Sequence, residues 1–104
     1  MKIMSSDSGK PIDISDPFAR QLMARYLERR DADVGNLRDA LGATNFETIR
    51  VTGHNLFGSG SAYGLDEISR LGAKIEQAAV MLGAGGIEAL IGELEAYLGA
   101  LKIR

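Results

Sequence analysis

Thr52-Gly53-His54-Asn55-Leu56-Phe57-Gly58-Ser59-Gly60-Ser61-Ala62-Tyr63-Gly64 is the stretch on which the reading of this chain turns. It holds the only histidine, His54, and it crowds small residues where a helix ordinarily carries bulk. Taken at the helical period with the residues just before it, the stretch divides into two faces. Phe46, Ile49, Gly53, Leu56, Gly60 and Tyr63 fall on one face, which is predicted to look inward. Glu47, Arg50, His54, Phe57, Gly58 and Ser61 fall on the other, so His54 is predicted to look outward. On this division Gly53 and Gly60 let a neighbouring helix approach closely, whereas Gly58 and Ser61 keep the space around His54 clear. Thr44 followed by Glu47 has the pattern of a capping box that opens the helix, and Gly64 is suited to close it.

The same periodicity extends outward in both directions. Ser15-Asp16-Pro17 reads as a helix start, with a capping side chain and a proline in the first turn, where its missing N–H costs nothing. An apolar stripe of Leu22, Met23, Tyr26, Leu27, Val34, Leu37 and Leu41 follows, ending at Gly42. A span over 17–42 is long for a globular helix, and Gly35 weakens it by about 1 kcal/mol relative to alanine. A short first helix bending into a longer one is therefore expected. Asp66 starts a further helix with the stripe Ile68, Leu71, Gly72, Ile75, Ala79 and Leu82. Gly83 to Gly86 reads as a flexible turn. The last helix turns Ile87, Leu90, Ile91, Leu94, Tyr97, Leu98 and Leu101 inward and Glu88, Glu93, Glu95 and Lys102 outward. Residues 1–14 read as a loose tail, with Ile12 and Ile14 reaching the core. Short connections between helices of similar length imply antiparallel neighbours. The expected fold is all-α: an antiparallel up-down four-helix bundle over 15–104 with a short extra N-terminal helix.

Composition narrows the possible functions. A chain of 104 residues is one domain and needs no metal or disulfide to fold. A formal charge of −2 without a basic stripe argues against nucleic acid as a partner. The absence of cysteine excludes thiol nucleophiles and Cys-ligated zinc. No apolar run approaches the roughly 20 residues that span a membrane, and the N-terminus lacks the apolar core of a signal peptide. A soluble, cytoplasmic, monomeric domain is expected.

What one histidine can do follows by weighing alternatives. A metal site is disfavoured, because Val51 stands three residues before His54 where a Glu-x-x-His motif would place its carboxylate. Composition leaves a Ser-His-Asp triad open, but Ser59 and Ser61 sit in helical sequence without a strained elbow. Gly58-x-Gly60 follows no strand and precedes no Gly-Lys-Ser/Thr, so it is not a phosphate-binding loop. A neutral imidazole is, however, a nucleophile toward phosphorus near neutral pH. That role asks for an exposed histidine, small neighbours that admit a partner, and a cation nearby to offset phosphoryl charge. His54, Gly58 with Ser61, and Arg50 answer those needs in turn. The competing description is an ordinary solvated helix face on which the glycines serve only packing.

The pattern His54-x-Leu56-x-Gly58-Ser59, then Gly64, Leu71 and Ile75-Glu76-Gln77, resembles the histidine-containing phosphotransfer (HPt) domain family, from about Pro17 to Leu101. The resemblance implies a four-helix bundle in which His54 is the phosphorylated residue. It makes Gly58 the small neighbour that admits a receiver domain and Gly64 the residue closing the helix. It places Glu76 near the active helix, where an ordinary surface carboxylate remains the alternative. One departure stands out: the family commonly has lysine three residues after the histidine, and Phe57 is there instead. Phe57 is either apolar docking area or a residue packed on the first helix. Arg50 is either a substitute cation or a solvated charge paired with Glu47. The partners implied are response-regulator receiver domains or a hybrid histidine kinase. The chain itself would carry no cofactor and no ATP site, and Mg²⁺ would sit on the receiver. A docking-only decoy using the same face is the main alternative, and a homodimer joined through glycine-rich helices is a weaker one.

Overall fold

The computed structural model describes residues 11–12 and 15–103. Its four helices are α1 (Pro17–Gly42), α2 (Phe46–Gly60), α3 (Asp66–Val80) and α4 (Ala84–Ala100). A single 3₁₀ turn, Ser61–Tyr63, extends α2. The fold is all-α apart from a two-residue parallel pairing of β1 (Pro11–Ile12) with β2 (Lys102–Ile103). Each helix packs on two others in the cyclic order α1, α2, α3, α4, and the α2–α3 interface is the most extensive. The long axis of 41 Å is set by α1, since 26 helical residues rise about 39 Å.

The apolar stripes meet in one core. Met23, Leu37, Ile49, Leu56, Leu65, Ile68, Leu71, Ile75, Ile87 and Ile91 are its largest fully buried side chains. The inward residues expected of α2 and α4 are buried or half-buried throughout, as are those of α3 except Leu82. Leu22 and Leu82 are the stripe members that fall outside, at 41% and 64% exposure.

Several expectations need correction. No separate short helix precedes the long one among the described residues: Pro17–Gly42 is one helix of 26 residues that runs through Gly35. Val34 and Leu37 beside Gly35 are buried, so packing outweighs the local propensity cost. The loose tail over 1–14 is described only at Pro11–Ile12, which pairs with Lys102–Ile103 instead of standing free. The side chains of Ile12, Ile14 and Lys102 lie outside the described residues. The cap of α2 is Asn45, whose side chain accepts the Thr48 N–H at 3.1 Å. Thr44 occupies the left-handed region at φ 52° and donates its hydroxyl hydrogen to the Ala43 carbonyl, so it does not cap. The α3–α4 corner is tighter than expected. Leu82 takes the left-handed position at φ 55°, Gly83 is the N-cap, and Gly85 and Gly86 are already helical.

Both corners close by the same bond pattern. Asn45 N–H reaches the Ala40 carbonyl at 2.8 Å, and Gly83 N–H reaches the Ala78 carbonyl at 3.0 Å. These bonds satisfy the last carbonyls of α1 and α3. Gly64 does the equivalent work after α2 with φ 75°, a conformation that costs glycine nothing.

Candidate functional site

Three glycines bring α2 and α3 together. A Cβ on Gly53 would stand 2.6 Å from the Glu76 nitrogen and 2.8 Å from the Gly72 oxygen. One on Gly60 would stand 2.6 Å from the Ser69 nitrogen, and one on Gly72 would collide with the Phe57 backbone nitrogen. No side chain fits at any of the three, so backbone meets backbone along this interface. Gly53 immediately precedes His54, and Glu76 lies one turn beyond Gly72. The close approach therefore sets Glu76 beside His54.

The imidazole Nδ1 of His54 lies 3.2 Å from Glu76 Oε2 and 3.4 Å from Oε1. His54 is 63% exposed and Glu76 27%. An ionised carboxylate can only accept, so a neutral ring making this bond carries its hydrogen on Nδ1 and its lone pair on Nε2. Among the described residues Nε2 has no protein hydrogen bond. The histidine is thus oriented at one ring nitrogen and unencumbered at the other. Neither Ser59 nor Ser61 hydrogen-bonds to it, so the described residues contain no Ser-His-Asp triad. They also contain no group of three side chains fit to hold a metal ion.

The other residues singled out in the sequence divide. Gly58 is exposed, and a Cβ there would meet nothing within 4 Å. Phe57 is 51% exposed. Val51, one turn before His54 and 42% exposed, adds a second apolar flank that periodicity alone did not single out. Arg50 is held by Glu47 through Nη2–Oε1 at 2.5 Å and Nε–Oε2 at 3.1 Å. Those bonds hold the Glu47 carboxyl below its ordinary range and push the Arg50 guanidinium up. Of the two readings of Arg50, the pair with Glu47 is the one the geometry displays. Ser61 lies in the 3₁₀ turn, where its N–H and hydroxyl both donate to Ser69 Oγ, at 2.8 and 3.0 Å. Ser69 in turn donates to the Phe57 carbonyl at 2.8 Å. Ser61 therefore belongs to a hydrogen-bonded corner that ends α2. Ser69, buried on α3, is the residue that makes that corner, and a small polar residue inside an apolar stripe was its only sequence signal.

An all-helical bundle presenting one oriented, exposed histidine beside open space defines a class of carrier domain. Residues 21–103 match the Hpt domain, and the chain belongs to that family, which carries out histidine phosphotransfer in two-component systems. No curated protein and no solved structure gives a significant match. Among the described residues no helix is long and apolar enough to cross a membrane.

Proposed function

We propose that His54 is the phosphoryl carrier of a phosphorelay, taking its load from the aspartyl phosphate of one receiver domain and giving it to another. The observation that carries this is the contact of Nδ1 with Glu76, which leaves Nε2 as the nucleophile. Nε2 attacks phosphorus, the N–P bond forms, and the P–O bond to the receiver aspartate breaks with its electron pair leaving on the carboxylate. No proton has to move. The product is an imidazolium that keeps its Nδ1 hydrogen, and Glu76 offsets its charge. Transfer onward reverses these steps. The chain supplies no cofactor in this scheme, and Mg²⁺ sits on the receiver.

Gly58 clears one side of His54 for the receiver's loops, while Val51 and Phe57 offer apolar area on which the partner settles. The working unit is the 15–104 bundle, with helices running up and down, acting as a cytoplasmic monomer on receiver domains or a hybrid kinase. Incubation with phosphorylated receivers is expected to label the protein on His54, and a His54→Gln variant should take up no label. Equal labelling of that variant would end the proposal. A docking-only role has one observation in its favour: Phe57 stands where the family has lysine, and Arg50 is engaged by Glu47. Receiver binding that survives His54→Ala, with no transfer by the parent protein, would select that role instead.

A further inference from the structure

A cavity of about 290 Å³ opens between the N-terminal half of α1 and the C-terminal end of α2. Arg25, Arg29 and Arg30 line it, with Tyr26, Ser59 and Tyr63. Ser59 follows His54 by five residues, which places it about 140° around the helix, and the cavity does not include the histidine. Three arginines on one wall are conspicuous in a chain of net charge −2.

Three arginines outside the cavity are matched by carboxylates, whereas Arg20, like the cavity's outer pair, has no carboxylate partner among the described residues. Arg38 pairs with Glu95, Arg50 with Glu47 and Arg70 with Glu67. Arg25 and Arg29 have no carboxylate partner among the described residues, although like charges four apart weaken a helix. Arg30 is fixed in place. Its guanidinium carbon sits 4.5 Å from the centre of the Tyr26 ring, and that ring stacks on Tyr63 at 4.0 Å. The Tyr26 hydroxyl is 2.8 Å from Ser59 Oγ, to which Arg30 Nη1 donates at 3.4 Å. Arg30 Nε is buried 2.8 Å from Asp33 Oδ2, but its N–H is not aligned for a hydrogen bond. Burial pushes the Asp33 carboxyl up from its ordinary value, against the pull of Arg30. Asp33, the carboxylate that meets Arg30, is thus poorly solvated and poorly aligned.

We infer that this cavity binds a small phosphate-bearing anion, held between the unpaired Arg25 and Arg29 and oriented by Arg30 and Ser59. Guanidinium groups present planar N–H forks that match phosphate oxygens. Three such groups and a hydroxyl offer more donors than a single carboxylate can accept, whereas a phosphate or diphosphate can use them. The volume lies at the small end for ligand sites, which suits one or two phosphates on a small body. The anion would bridge α1 to the end of the helix that carries His54.

Pyrophosphate is the probe. Calorimetric titration of the full chain should show saturable binding at one site per molecule, with amide shifts in NMR spectra centred on Ser59 and Tyr63. The double substitution Arg25→Gln/Arg29→Gln, at exposed positions, should weaken binding by at least about 10-fold with an unchanged melting curve. Arg25→Lys/Arg29→Lys, which keeps charge but loses the forks, should fall between that variant and the parent. His54→Gln should bind pyrophosphate as the parent does, which separates this test from that of phosphotransfer. Absence of saturable binding up to about 10 mM, weaker than the millimolar end of specific affinity, would overturn the inference, as would full affinity in the glutamine variant. Loss of transfer from a receiver without any pyrophosphate binding by the parent would also overturn it, making the arginines a protein-docking surface.

Discussion

On the inner face of α2, Gly53 and Gly60 stand where an added Cβ would lie 2.6 Å from the backbone of α3. On the outer face, Gly58 stands where an added Cβ would meet nothing within 4 Å. The same residue type in one short helix thus answers two different demands. Inside, glycine is needed by the fold, because α3 cannot come as close with any larger residue. Outside, the fold has no use for it, and glycine there costs helix stability. Under the proposed function, the space that Gly58 leaves open one turn from His54 is the space a receiver domain would use. The contrast also links the faces: the inner glycines set the spacing at which Glu76 reaches His54.

Substitutions on the inner face should have the largest effect. Leu56, fully buried between the two glycine contacts, should lose about 2–5 kcal/mol of unfolding free energy on substitution by alanine. A denaturant midpoint unchanged from the parent would show that α2 is turned differently. Gly72→Ala should come next, costing about 1–3 kcal/mol through overpacking. Its Cβ would strike the Phe57 nitrogen and lie 2.7 Å from both the Gly53 oxygen and Leu56 Cβ. Because relief requires α3 to back away, this variant should also lose transfer activity beyond its loss of folded protein. Full activity of the folded fraction would show that the spacing of α2 and α3 does not govern the site.

Much of the inner face was legible in the sequence, and the reason is periodicity. Ile49, Leu56, Ile68, Leu71, Ile75, Ile91 and Leu94 recur at helical spacing, and burial follows spacing whatever the partner helix is. The outward register of His54 and Phe57 followed from the same count. Corners were less legible. Glycines at 42 and 83 suggested where the chain would turn, but Thr44 and Leu82 adopt the left-handed angles, because the terminal hydrogen bonds fix which residue sits at that point. Contacts between helices were least legible. Gly72 looked like a neutral member of a stripe, and nothing in α3 alone says that Phe57 and Gly53 lie against it. Ser69 beneath the end of α2, and the arginine wall that α1 turns toward Ser59, likewise depend on how two distant segments meet.

The outer face should respond in the opposite sense. Gly58→Ala meets no obstacle and gains helix propensity, so the protein should become more stable by about 1 kcal/mol. Transfer from a phosphorylated receiver should nevertheless slow, because the new methyl group occupies space next to His54. A variant that is both more stable and equally fast would deprive Gly58 of its role at the site and leave its presence unexplained.

Phe57→Lys should change stability least, within about 0.5 kcal/mol, because the replaced ring is half exposed and its backbone contacts to Gly72 and Ser69 are kept. Its effect on transfer decides what the outer face is for. Under the proposed function, a lysine one turn from His54 would bring a positive charge toward the phosphoryl group while the contact area of the ring is lost. Faster transfer with weaker receiver binding would show that phenylalanine holds the partner at the expense of chemistry. Slower transfer with binding weakened in proportion would show that docking limits the reaction. A fall in melting temperature comparable to that of Leu56→Ala would place Phe57 in the core and erase the distinction between the two faces of α2.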